Sequence, residues 1–200
     1  LDYLQYRQEP LLSFTTQFNT LARQLISQIE VCEAFTPPSQ RFASPLPPGI
    51  KKETFRAIWD TGATGTVITQ KVVDALGLLP TGRVNIAGIG TDGLPNIKLG
   101  FKYIVNIILP NKVVLVGVTV SCAYINDADV LIGMDIIRQG DFAITNVKGK
   151  TCLSFRIPSS ETIDFNKDFE DMKRKFGEWK PNMPVNRKQR RAKGKPSKRN

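Results

Sequence analysis

The chain has 200 residues, 41% hydrophobic and 23% charged, close to globular averages, which excludes both wholesale disorder and a collagen-like repeat. It contains no histidine, so every Ser/His/Asp or Cys/His triad, every His-Glu-x-x-His zinc site and every imidazole acid or base is removed. Of the net charge of +10, +8 sits in residues 181–200, on Arg187, Lys188, Arg190, Arg191, Lys193, Lys195, Lys198 and Arg199, leaving 20 basic and 18 acidic residues elsewhere.

Taken in chain order, residues 1–12 read as an extension, and Leu1 in place of a methionine leaves the true N-terminus open. Leu21, Leu25, Ile26 and Ile29 fit a helical face, but Ile29 and Val31 begin an alternation, and the segment 21–31 is read as a strand. Residues 35–49, with Pro37, Pro38, Pro45, Pro47 and Pro48, form a loop. From Ile50 to Arg156 the texture is β, with strands expected over 55–59, 83–87, 97–109, 113–120, 142–147 and 151–155. Strands this short and numerous imply a sandwich or barrel. Short helices are expected at 69–76 and 134–138. Phe165, Phe169, Met172, Phe176 and Trp179 recur at helical spacing, so 159–180 is read as an amphipathic helix, capped by Ser159 or Ser160 and stopped by Pro181. Residues 181–200 form a disordered basic tail, mainly a solvated terminus, with weak contact to nucleic acid or an acidic partner open to residues 187–199.

Cys32, Cys122 and Cys152 lie far apart without Cys-x-x-Cys spacing, which favours buried thiols in a reducing compartment over a disulfide framework or zinc site. No apolar run approaches the roughly 18 residues of a spanning helix, and no basic stretch precedes an apolar region at the N-terminus. A cytoplasmic protein with no membrane partner, no metal and no cofactor is expected.

Two nucleotide-binding look-alikes fail on context. Gly88-Ile89-Gly90-Thr91-Asp92-Gly93 fits the dinucleotide glycine pattern, but Leu94, Pro95 and a β stretch follow where a helix must open. A glycine-rich hairpin turning at Asp92-Gly93 accounts for it better. Gly149-Lys150-Thr151 resembles the end of a phosphate loop, yet Ile144 stands at the position of the first glycine. The substantive motif is the apolar strand Ala57-Ile58-Trp59 running into Asp60-Thr61-Gly62-Ala63. Asp-Thr-Gly alone arises by chance in roughly one chain of this length in twenty-five. Here Ala87-Gly88-Ile89-Gly90 follows about thirty residues on, and Leu131-Ile132-Gly133 ends 73 residues beyond Asp60.

That ordered trio resembles the retropepsin-like aspartic proteases, in a form closer to cellular and bacterial members than to the compact viral enzyme. The resemblance covers residues 14–157 and implies an all-β lobe, a closed barrel or sandwich with one or two short helices, over residues 13–158. It also implies Asp60 as the catalytic carboxylate, Thr61, Gly62 and Ala63 as its support, a flap over substrate at Ala87, Gly88, Ile89 and Gly90, and a structural late element at Leu131, Ile132 and Gly133. Thr64, Gly65 and Met134 replace the acidic residues and arginine common in retroviral members, so that salt bridge is absent.

One lobe carries one carboxylate, whereas amide hydrolysis by water needs one group to take a proton and another to give one, which points to Asp60 from two chains across a two-fold axis. At about 3 Å and an effective dielectric near 20, two carboxylates repel by roughly 5 kcal/mol, so the pair retains one proton. The expected activity is therefore that of a homodimeric endopeptidase acting on an extended polypeptide. The competing reading is a catalytically silent module that binds peptide or merely dimerises. Asp60 also has a plain turn reading, Asp135 reads as a helix-starting or hydrogen-bonding residue, and Asp74, Asp92, Asp127, Asp129 and Asp141 as turn, loop, cap or surface residues.

Overall fold

The computed structural model describes residues 12–35, 49–89, 95–110 and 113–177. The expected extension at 1–12 and loop at 35–49 lie almost wholly outside them, and Gly90, the Asp92-Gly93 turn, Trp179 and the tail at 181–200 lie wholly outside. The chain divides into two units, residues 1–161 and 162–200.

The first unit is β throughout apart from two short helices. Its strands are β1 (Leu12–Gln17), β2 (Leu25–Glu33), β3 (Lys52–Trp59), β4 (Val67–Ile68), β5 (Gly82–Ile89), β6 (Pro95–Ile108), β7 (Val114–Cys122), β8 (Val130–Ile132), β9 (Asp141–Val147) and β10 (Lys150–Ile157). Helices α1 (Gln70–Leu76) and α2 (Met134–Ile137) follow β4 and β8. The seven-stranded sheet runs β2-β3-β8-β4-β7-β6-β5 and closes on itself because β2 also pairs with β6, from Glu30↔Ile108 to Glu33↔Val105. Closure leaves β5 outside, paired only to the first half of β6. The architecture is thus an all-β closed lobe with short helices, as the motifs imply.

Closure demands a strand long enough to serve two neighbours, and β6 meets it with 14 residues. Lys102 to Ile108 pair with β7, with a register shift between Val105 and Ile107, while Pro95 to Lys102 pair with β5. Alternation then sorts the side chains. Tyr103, Val105 and Ile107 enter the barrel core, with Ile29, Val31, Phe55, Ala57, Ile68, Leu115, Val130 and Ile132. On the same alternation Ile97, Leu99 and Phe101 continue that row beyond the barrel, where they are exposed. The β assignment of 21–31 holds for its second half, because Ile29 and Val31 must both face the core.

A second sheet, β1-β10-β9, packs on the barrel through aromatic rings. The Trp59 ring centroid lies 5.2 Å from Phe155, 5.7 Å from Phe14 and 5.7 Å from Phe142, on which it stacks. Its indole N–H donates to Ser27 Oγ at 2.8 Å, so a large buried ring keeps its polar atom satisfied. Of the three thiols, all free, only Cys32 is buried, and Cys122 and Cys152 are half-buried. Burial pushes the Cys32 and Cys122 thiols up from their ordinary value.

In the second unit α3 spans Phe165–Phe176. Its cap is Asp164, whose carboxylate accepts from the N–H groups of Asn166 and Lys167, and not the expected Ser159 or Ser160. Those serines are engaged elsewhere, since Asp141 accepts hydrogen bonds from the Ser159 hydroxyl, the Ser160 N–H and the Arg156 guanidinium. Among the described residues no helix is long and apolar enough to cross a membrane.

The donors around Asp141, the Ser159 hydroxyl first and then the Ser160 N–H and Arg156, hold its carboxyl well below the ordinary value of 3.8. A depressed folded-state value means stabilisation that is complete above the unfolded value and lost as pH falls through the folded one. Asp141→Asn is therefore expected to destabilise the fold at neutral pH, and the gap to wild type should narrow as pH drops below 4, read by denaturant unfolding across pH. A gap constant down to pH 2 contradicts this.

Candidate active site

The site is built where two strands of opposite sequence location run side by side. Ala57, Ile58 and Trp59 of β3 pair in parallel with Val130, Leu131 and Ile132 of β8. The ladder continues one step beyond the strand, with the Asp60 N–H donating to the Ile132 carbonyl at 2.9 Å. Asp60 therefore emerges at the C-terminal end of the pair, next to the point where Gly133 leaves it. Antiparallel pairing of Val67↔Leu131 and Ile68↔Val130 brings β4 to the other edge of β8, so the loop 60–66 must arch over the end of that strand.

Five hydrogen bonds fix the arch. The Ala63 N–H closes a turn on the Asp60 carbonyl at 3.3 Å, and the Ala63 carbonyl accepts from the Met134 N–H at 2.8 Å. Thr66, 1% exposed, donates its hydroxyl to Asp135 Oδ1 at 2.8 Å and its N–H to Asp135 Oδ2 at 3.0 Å. The Thr66 hydroxyl also accepts from the Gly133 N–H at 3.2 Å. Packing leaves no room for a side chain at position 133: a Cβ there would lie 2.6 Å from the Gly65 carbonyl group and 3.0 Å from the Ala63 oxygen.

Within this frame Asp60 is half-buried, and its Oδ1 accepts from the Gly62 N–H at 2.8 Å. Among the described residues no hydrogen bond reaches Oδ2. A Cβ at Gly62 would sit 3.1 Å from Oδ1, crowding the carboxylate. Thr61 and Gly62 are exposed and Ala63 half-buried. One carboxylate oxygen is thus pinned by the turn, while the other has no hydrogen-bond partner among the described residues.

The late element Leu131, Ile132 and Gly133 lies against this loop, as the contacts above require. Ala87 and Gly88 lie near the outer end of β5, both exposed, with nothing within 4 Å of a Cβ built on Gly88. The backbone of Ile89 ends that strand and Gly90 lies outside the described residues. Thr66 is the residue that motif reading missed. Asp135 carries a hydrogen-bonding role, as its position after the late glycine suggests, but its partner lies 69 residues earlier and no local pattern names it. Asp129, read as a loop or cap residue, braces the opposite end of the β3 and β8 pair, accepting from the Arg56 N–H at 3.1 Å and Lys71 Nζ at 2.9 Å.

Residues 47–139, which contain Asp60, β5, β6 and the late element, match the family described as "gag-polyprotein putative aspartyl protease". Among solved structures the chain is similar to the crystal structure of a retropepsin-like aspartic protease from Rickettsia conorii, with 12% identity over 74% of this chain and 96% of that one, at a TM-score of 0.43. None of the curated proteins matches the chain. The family match falls on the segment that carries the motif trio.

Thr66→Val removes the hydroxyl that links Asp135 to the Gly133 N–H and leaves that buried N–H without its partner. The expected cost is on the order of 1–3 kcal/mol, measured by urea unfolding. A loss near zero would mean that the Thr66 to Asp135 contact does not hold the loop.

Proposed function

We propose that the chain is a homodimeric aspartic endopeptidase that hydrolyses peptide bonds with a water molecule activated between two Asp60 carboxylates. The observation that carries the reading is the setting of Asp60: one oxygen held by the Gly62 N–H, and a backbone bonded to the Ile132 carbonyl at the C-terminal end of the β3 and β8 pair. Each chain contains a single Asp-Thr-Gly, so the second carboxylate comes from a second chain. The protease domain is residues 13–158, with 1–12, the helix at 159–180 and the tail at 181–200 as extensions.

In this mechanism the two carboxylates share one proton, because like charges at such range cannot both remain ionised. The ionised member takes a proton from the water as its oxygen attacks the scissile carbonyl carbon. The protonated member hydrogen-bonds the carbonyl oxygen, which becomes a hydroxyl of a tetrahedral diol. Return of a proton to the amide nitrogen breaks the C–N bond and releases amine and acid, with no covalent enzyme intermediate. Thr61 braces its counterpart across the two-fold, while Gly62 and Ala63 keep the loop close to the carboxylates. Ala87, Gly88, Ile89 and Gly90 close over an extended peptide. The exposed row of Ile97, Leu99 and Phe101 on the strand paired to β5 gives the flap an apolar surface for peptide side chains.

Asp60→Asn keeps the shape of the carboxylate and removes its ability to act as base. Peptide cleavage by the purified variant is expected to vanish with the fold intact by circular dichroism. Mixing then tests the stoichiometry. With free exchange at equal amounts, about one quarter of dimers hold two Asp60 carboxylates, against one half of chains active for a monomeric enzyme. The rate per total chain should follow a quadratic in the wild-type fraction. A straight line, with exchange confirmed separately, overturns the dimer, and wild-type protein that binds peptide without cutting it favours the silent module.

A further inference from the structure

We propose that Arg83 on β5 is a specificity residue, selecting polypeptides that carry a carboxylate side chain about five residues from the bond that is cut. The inference rests on the protease reading, which supplies the bond and the flap, and adds the class of substrate. It starts from an imbalance of charge. Elsewhere in the first unit Lys52 pairs with Glu30 at 2.7 Å, Lys71 with Asp129 at 2.9 Å, and Arg156 with both Asp141 and Glu161. The arm made by β5 and β6 holds Arg83, Lys98 and Lys102, and neither strand contains an acid. Asp92, between the strands, is the single acid of residues 82–108. None of the three cations forms an ion pair among the described residues. The arm is therefore an electropositive surface on a barrel that neutralises several of its own charges.

Arg83 is the cation best placed to read a side chain. The antiparallel register sets Arg83 opposite Phe101, Asn85 opposite Leu99 and Ala87 opposite Ile97, so these side chains share one face. The guanidinium carbon stands 6.0 Å from the centre of the Phe101 ring. An aromatic partner steadies the planar group without consuming its N–H fork, which matches a carboxylate in shape and charge. Lys98 and Lys102 lie on the other face, where the Lys102 chain runs across Gly82, its Cε 2.7 Å from the place of a Cβ there. An extended segment adding to the outer edge of β5 lays its alternate side chains on the Arg83 face. Peptide and strand advance by the same rise per residue, so distance along one measures distance along the other. Arg83 stands five residues before Gly88 of the flap, which sets the acidic side chain about five residues from the bond beneath it. The apolar side chains of Phe101, Leu99 and Ile97 beside it favour a carboxylate set among apolar residues over a run of acids.

The test uses the full chain and a synthetic peptide library with an apolar pair fixed at its centre and Glu, Gln or Lys placed at each outer position in turn. Cut ends are read by mass spectrometry. Wild type is expected to prefer Glu over Gln about three- to fivefold in kcat/KM near the fifth residue on one side, with the preference shrinking at high salt. Arg83→Gln should level that preference, Arg83→Glu should turn it toward Lys, and Arg83→Lys should keep part of it. Binding of the same peptides, labelled with fluorescein, to the Asp60→Asn chain separates the two claims. The basic residues 187–199 attract acid wherever it stands in a peptide, so the part that depends on position and on Arg83 decides. Such binding without any cleavage by wild type refutes the protease and supports the role of Arg83. Cleavage at equal rates for Glu and Gln, or a preference that survives Arg83→Gln, overturns that role and leaves the protease standing. Neither cleavage nor Arg83-dependent binding overturns both.

Discussion

Three residues of parallel pairing between β3 and β8 decide where everything else at the candidate site must go. The pairing joins segments 73 residues apart, and the Asp60 N–H adds a fourth rung on the Ile132 carbonyl. Parallel strands cannot be joined by a tight turn, so the chain leaving β3 has to arch over the end of β8 before it returns as β4. The arch brings loop 60–66 against Gly133, and only the absence of a side chain there lets the two backbones meet. A carboxylate held this way does not depend on its own loop alone for position. Its backbone N–H is bonded to the end of a sheet.

The barrel supplies the rigidity behind that pairing. Its long strand β6 bonds to three neighbours, so no edge is left open on the closed side, and a row of branched side chains fills the interior. Trp59, one residue before Asp60, ties the strand end to Phe14, Phe142 and Phe155 of the second sheet. Motion of Asp60 along β3 would have to drag a buried indole out of this aromatic contact and break its bond to Ser27. Rigidity of this kind at the carboxylate is what the proposed chemistry requires.

Much of this is local chemistry and therefore readable from residues in order. The alternation in Phe55, Ala57 and Trp59, the Asp60-Thr61-Gly62 turn and the apolar run into Gly133 each report their own neighbourhood, and the two short helices follow from spacing. Closure of the barrel is different, because it rests on β2 meeting β6 across more than seventy residues. The Thr66 to Asp135 contact is hidden for the same reason: a threonine and an aspartate are each ordinary where they stand, and only the fold brings them within 2.8 Å. The cap of α3 failed as a reading because serine, a good cap in isolation, was already committed to Asp141, leaving Asp164 to do the capping.

A crystal structure of the full chain with a peptide whose scissile amide is replaced by a hydroxyl-bearing, uncleavable carbon centre tests the central claim most directly. Two chains should flank one peptide, with an Asp60 carboxylate from each within hydrogen-bond reach of the same hydroxyl and Thr61 of both chains beneath them. A peptide bound to one chain alone, or a dimer whose Asp60 carboxylates face solvent apart from each other, would contradict it.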